Sequence, residues 1–118
     1  MAQMTFQEYR ESIGAIPPSD HCPVAKMLHL FQGKWTIRVL FELSKVDAIR
    51  FGDLKRQIPG ITNTMLTSTL RYLEENKLVS RIQYNEIPPH VEYALSEAGQ
   101  NLYPVFVEFA NWSLKYLK

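Results

Sequence analysis

The sequence predicts a mainly helical α+β domain, several short helices with one small β-hairpin in the C-terminal half. Over most of the chain apolar residues recur every three or four positions, the period of a helix with one buried face. Two later runs, 79–84 and 90–95, behave differently. In the second, Val91, Tyr93 and Leu95 alternate with His90, Glu92 and Ala94, the period of a strand. The chain is also rich enough to pack. It has 118 residues, 46% of them apolar, with six Phe, six Tyr and two Trp. That suits one domain burying roughly two-thirds of its unfolded surface and excludes extended disorder.

Each element has a local reason. Residues 5–13 carry Phe6, Tyr9 and Ile13 on one stripe, and Gly14 with the Pro17-Pro18 pair closes this first helix. From Pro23 to Gln32, Val24, Met27, Leu28 and Phe31 form a second helical face. Pro23 suits the first turn and Gly33 the cap after the end. Residues 34–44 hold Trp35, Ile37, Val39, Leu40, Phe41 and Leu43, which leave little polar face, so this is the expected core helix. An extended piece at 49–51 precedes a short helix over 52–57, with Leu54 and Ile58 pointing inward and Pro59-Gly60 turning the chain. Thr62 is a natural N-cap for a long helix to Asn76, in which Leu66, Leu70 and Leu73 recur at i, i+4 and i+7. Its other face, Asn63, Thr64, Thr67, Ser68 and Arg71, is polar and nearly uncharged. Asn85-Glu86-Ile87-Pro88-Pro89 is too long and proline-rich for a two-residue turn, so the hairpin should have a projecting tip. Ser96 caps a final helix to Leu117, striped by Leu102, Val105, Phe106, Phe109, Trp112 and Tyr116, which Pro104 should bend or restart.

A short helix, a glycine turn, a longer helix with a polar outer face and a trailing hairpin make a winged helix-turn-helix. A helix of this kind fits the major groove of duplex DNA, where hydroxyl, amide and guanidinium groups reach base edges, while a hairpin beside it reaches sugar and phosphate. Asn63, Thr64, Thr67, Ser68 and Arg71 are the candidate reading residues. Net charge is only +1, which excludes a strongly basic, histone-like binder. The charge is nevertheless segregated: residues 34–90 sum to +3 and the remainder to −2. Lys34, Arg50, Lys55, Arg56 and Arg81 are therefore the candidate phosphate contacts.

Cys22-Pro23-Val24, Gly33-Lys34-Trp35-Thr36, Arg50-Phe51 with Leu54, Pro59-Gly60-Ile61, Leu70-Arg71 with Leu73-Glu74, Leu78-Val79, Pro88-Pro89 with Val91-Glu92-Tyr93, Leu95 and Gly99 stand in a familiar order. Over nearly all of the chain from Cys22 to Trp112, this set resembles the HxlR-type winged helix-turn-helix transcription regulators, relatives of the MarR group. The resemblance implies a cytoplasmic homodimer on a pseudo-palindromic double-stranded DNA operator. Thr36, and His90 as a surface or DNA-facing residue of the hairpin, complete the expected DNA contacts. The resemblance also implies that the terminal helices of two chains pack together, which suits the apolar stripe of Phe6, Tyr9, Val105, Phe109, Trp112 and Tyr116. The expected division is an N-terminal dimerisation arm at 1–20, a DNA-binding core at 21–95 and a C-terminal dimerisation helix at 96–118. The chain departs from the family pattern at Thr64 and Thr69 of the reading helix and at His90 of the wing, where a basic residue is usual.

Cys22 is the lone cysteine, which excludes an intrachain disulfide framework and suits a reducing compartment. It stands before the first turn of a helix, where free amides favour a thiolate and where His21 and Lys26 would add to the effect. Some members of the family sense oxidants or reactive electrophiles at this place, so Cys22 is the candidate sensor, through an intersubunit disulfide or a mixed thiol adduct, with an oxidant, an electrophile or a small apolar molecule as effector. The alternative is a cysteine that simply packs at a helix start. Asp20, His21, Cys22 and His29 lack metal-ligand spacing, so no metal or other cofactor is expected. The five glycines are scattered and no nucleophile elbow or paired carboxylates appear, so no enzyme is expected. No apolar run reaches the ~18 residues of a membrane span. A winged-helix protein-interaction module that never touches DNA is the competing reading.

Overall fold

The computed structural model describes residues 4–17 and 22–117. The chain divides into two compact units, one ending at Gln32 and the other beginning at Gly33. The first holds α1 (Phe6–Gly14) and α2 (Pro23–Leu30). Thr5 caps α1 by accepting the Glu8 N–H at 3.1 Å. The predicted stripe is present but open, with Phe6 and Tyr9 exposed and their rings 6.4 Å apart.

The second unit contains α3 (Thr36–Leu43), β1 (Ile49–Arg50), α4 (Phe51–Arg56), α5 (Asn63–Glu75), β2 (Val79–Tyr84), β3 (His90–Leu95), α6 (Glu97–Gln100) and α7 (Tyr103–Tyr116). Its core is aliphatic: Val39, Leu40 and Leu43 from α3, Leu54 from α4, Ile58 and Ile61 from the turn, Leu66, Leu70 and Leu73 from α5, then Leu78 and Val79. The three leucines predicted for α5 are all buried.

Two details differ from expectation and a third agrees with it. The extended piece at 49–50 pairs with β3, so the hairpin belongs to a three-stranded antiparallel sheet of order β1-β3-β2. Helix α3 is not covered all round, because Ile37 and Phe41 lie partly in solvent while Glu42 is buried. The C-terminal helix does restart at Pro104: α6 ends at Gln100 and α7 begins at Tyr103, with the proline in its first turn where its missing N–H costs nothing.

Candidate nucleic-acid interface

Helices α4 and α5 meet at the Ile58-Pro59-Gly60-Ile61 turn. Gly60 has φ +88°, and the Ile61 N–H donates to the Ile58 carbonyl at 3.2 Å, the geometry of a type II turn with proline and glycine at its two central positions. Thr62 then caps α5, its Oγ1 accepting the Met65 N–H at 3.1 Å. Ile61 and Leu66 are both buried at the two positions of a hydrophobic staple, which aims the helix as it leaves the turn.

With Leu66, Leu70 and Leu73 inward, helical geometry sends Thr64, Ser68 and Arg71 outward as a row at i, i+4 and i+7, and all three are exposed. Asn63, also exposed, and Thr67, half-buried, form a second row along the flank. The Thr69 hydroxyl turns back to donate to the Met65 carbonyl at 2.8 Å. Met65 itself is 43% exposed, an apolar group among the polar ones. Sequence reasoning passed over it, although its place between Thr64 and the inward Leu66 is the available signal.

The wing follows directly. Strands β2 and β3 pair from Val79 with Leu95 to Tyr84 with His90. Side chains paired across a sheet share a face. Arg81 therefore stands with Tyr93 and Ile49, on the face where Val79 is buried and β2 packs against α5. Arg50 is paired with Glu92 and belongs to the other face. The sheet thus brings Arg81 to the side of α5 and sets Arg50 apart from it. Arg81 is exposed, its guanidinium 3.4 Å from the Gln83 side-chain oxygen.

The other expected contacts fare differently. Lys34 is exposed, with its ammonium 4.9 Å from the centre of the Trp35 ring. Lys55 is half-buried, and Arg56 is exposed but ion-paired to Asp53. Thr36 is only 5% exposed, because the core-facing stripe of α3 begins at its first residue. The His90 side chain is 14% exposed, its ring nitrogens lie 3.4 Å from Glu86 and 3.0 Å from Glu92, and it stacks on Tyr84 at 4.5 Å. Two carboxylates and a phenol ring surround it within the wing.

Cys22 caps α2, its sulfur accepting the Ala25 N–H at 3.3 Å, and it is half-buried. Asp20 and His21 lie outside the described residues. Among the described residues no group of three His, Cys, Asp or Glu side chains is placed to hold a metal ion, and no helix is long and apolar enough to cross a membrane.

The expected dimer residues of α7 fall into a pattern. Val105, Phe109, Trp112 and Tyr116 share one row, the last three more than half exposed, with the Trp112 and Tyr116 rings 5.4 Å apart. Phe106 lies beside this row and packs on Phe41 of α3 at 5.7 Å. Tyr103, Val107 and Leu114 make a second exposed apolar row on the far side of the helix, which the sequence stripe did not include.

Comparison with known proteins agrees with this geometry. Residues 30–118 match the model of the HxlR-like helix-turn-helix family. The chain is 38% identical over 96 residues to the uncharacterized HTH-type transcriptional regulator YdzF of Bacillus subtilis, covering 81% of this chain and 88% of that one. Among solved structures it is similar to a protein of Porphyromonas gingivalis W83 assigned to the MarR family of transcriptional regulators. There the TM-score is 0.79 at 39% identity, over 85% of this chain and 97% of the other. It is also similar to the oxidized form of the redox regulator HypR, with TM-score 0.73 at 35% identity over 82% and 99% of the two chains.

Proposed function

Because the chain belongs to the HxlR-like helix-turn-helix family, whose curated relatives are HTH-type transcriptional regulators, we propose that it is a homodimeric, sequence-specific DNA-binding repressor. The observation that carries this is the outward row of Thr64, Ser68 and Arg71 on α5, with Arg81 exposed on the α5-facing side of the adjoining wing. In this reading α5 lies in the major groove, where Arg71 takes a guanine edge or a phosphate and the hydroxyls serve neighbouring bases. Arg81 takes a phosphate and sets the register. The modest net charge makes one subunit a weak binder, so the grip depends on two subunits on half-sites about one helical turn apart, or a multiple of it.

Fluorescence anisotropy with the intergenic DNA upstream of the coding sequence tests the reading. The wild type should bind with an affinity that falls as salt rises. Arg71→Ala should weaken it about tenfold or more. Arg81→Ala should weaken all sequences equally and reduce the salt slope by about one unit. Salt-independent or absent binding, with both variants unchanged, would leave the protein-interaction module as the better reading.

Cys22 is the proposed sensor. The observation favouring it is a half-buried sulfur at a helix N-terminus in a chain similar to a redox regulator. With one cysteine per chain, oxidation by a peroxide would join two Cys22 thiols of a dimer in a disulfide. The two thiols lose two electrons and two protons, and the peroxide is reduced to water. Cys22→Ser should abolish any effect of peroxide on DNA affinity, and an unchanged effect would overturn this role.

A further inference from the structure

The outer part of the wing is built against holding phosphate. From Ile82 to Ala94 the chain has no Lys or Arg, and its only ionisable acids and bases besides two tyrosines are Glu86, Glu92 and His90. These three are engaged with one another. His90 lies 3.4 Å from the Glu86 carboxylate and 3.0 Å from that of Glu92, with Tyr84 stacked on its ring. The Glu86 side chain remains 62% exposed, with its carboxylate turned toward His90. The tip consists of Asn85, Glu86, Ile87, Pro88 and Pro89, all exposed, and Ile87 is fully so. Two successive prolines lock φ and remove two N–H donors, so the tip is stiff, and Ile87 is its apolar point.

We infer that Ile87 is an apolar wedge that enters the minor groove beside the half-site and reads the deformability of a base step, with Asn85 bonding to the groove-edge acceptors. This rests on the DNA-binding reading above. The fold places the wing beside the reading helix: β2 packs against α5, and strands of six residues carry the tip up to ~20 Å from the base of the hairpin. The chemistry fits the same partner. Minor-groove binders insert Ile, Leu, Phe, Met or Pro at a step, preferring flexible pyrimidine–purine steps, and the groove floor offers acceptors to an amide donor. A tip without a cation makes its contribution through shape instead of charge.

The test is selection from a library of randomised duplexes, followed by anisotropy on the duplexes recovered by the wild type. The wild type should enrich a TA or CA step at a fixed offset outside the major-groove core of each half-site. Ile87→Ala should lose that outer preference, bind about tenfold more weakly and keep the same salt slope, because no charge is removed. Ile87→Lys should recover affinity with a slope steeper by about one unit. Thermal unfolding of both variants should match the wild type, since the side chain packs on nothing. If Ile87→Ala selects the same motif with the same affinity, the wedge is wrong while the regulator reading stands. If the wild type recovers no duplex in a salt-dependent way, the regulator reading fails and the wedge with it.

Discussion

Lys77 and Gly99 occupy each other's natural circumstances. Lys77 has φ +61°, left-handed backbone, where it closes α5 in a Schellman arrangement: the Leu78 N–H donates to the Leu73 carbonyl at 2.9 Å and the Lys77 N–H to that of Glu74 at 3.0 Å. A side chain is strained there and glycine is not. Lys77→Gly should therefore raise stability by about 1 kcal/mol, read as a higher urea midpoint at unchanged m-value. Gly99 sits in the first turn of α6, where a Cβ would run into the Leu78 carbonyl oxygen and lie 3.0 Å from Leu95 Cδ2. Gly99→Ala should cost about 1–3 kcal/mol in the same measurement, because backbone must shift to admit one methyl. Neither demand is legible locally, since the sequence around each shows only a helix end and a helix start. Glu42 is similar. Its spacing to Arg38 and Lys45 was visible, but only packing reveals that the carboxylate is buried and held at 3.2 and 2.7 Å by those two cations.

Among the elements, α5 was the most legible, because cap, leucine repeat and polar row all agree on one orientation. Thr62→Ala should lower stability by about 1 kcal/mol through the lost Met65 N–H contact, without altering which residues α5 presents. A DNA affinity that falls by more than the lost folded fraction would show that the cap also sets the helix's aim. Strand β1 was not legible as part of a sheet. Two residues carry no period, and pairing with β3 is a contact across more than forty positions. That pairing and its register decide that Arg50 and Arg81 face opposite ways, which composition and charge counting cannot reveal. The hairpin itself was legible down to its projecting tip, but the capture of His90 by Glu86 and Glu92 depends on how the strands align.

For the whole molecule, α7 is what supports the proposed dimer. A helix apolar on more than one side is stable in water only when covered. Here one row holds Phe109, Trp112 and Tyr116, the opposite side holds Tyr103, Val107 and Leu114, and all six are exposed in the single chain. Phe109→Glu or Trp112→Glu should convert a dimer to monomer in size-exclusion with light scattering, and should remove the concentration dependence of Tm expected of a folded dimer. A wild type that elutes as a monomer at every concentration would dismiss the interface. The sequence by itself determined the helices, the wing, the glycine turn and the family, because these follow from local periodicity, capping and short motifs that survive without neighbours. Only the tertiary structure decided which polar residues reach solvent, taking Thr36 into the core and His90 into the wing while leaving Met65 and Ile87 outside. Exposure is a property of what packs against a residue, and those neighbours come from distant parts of the chain.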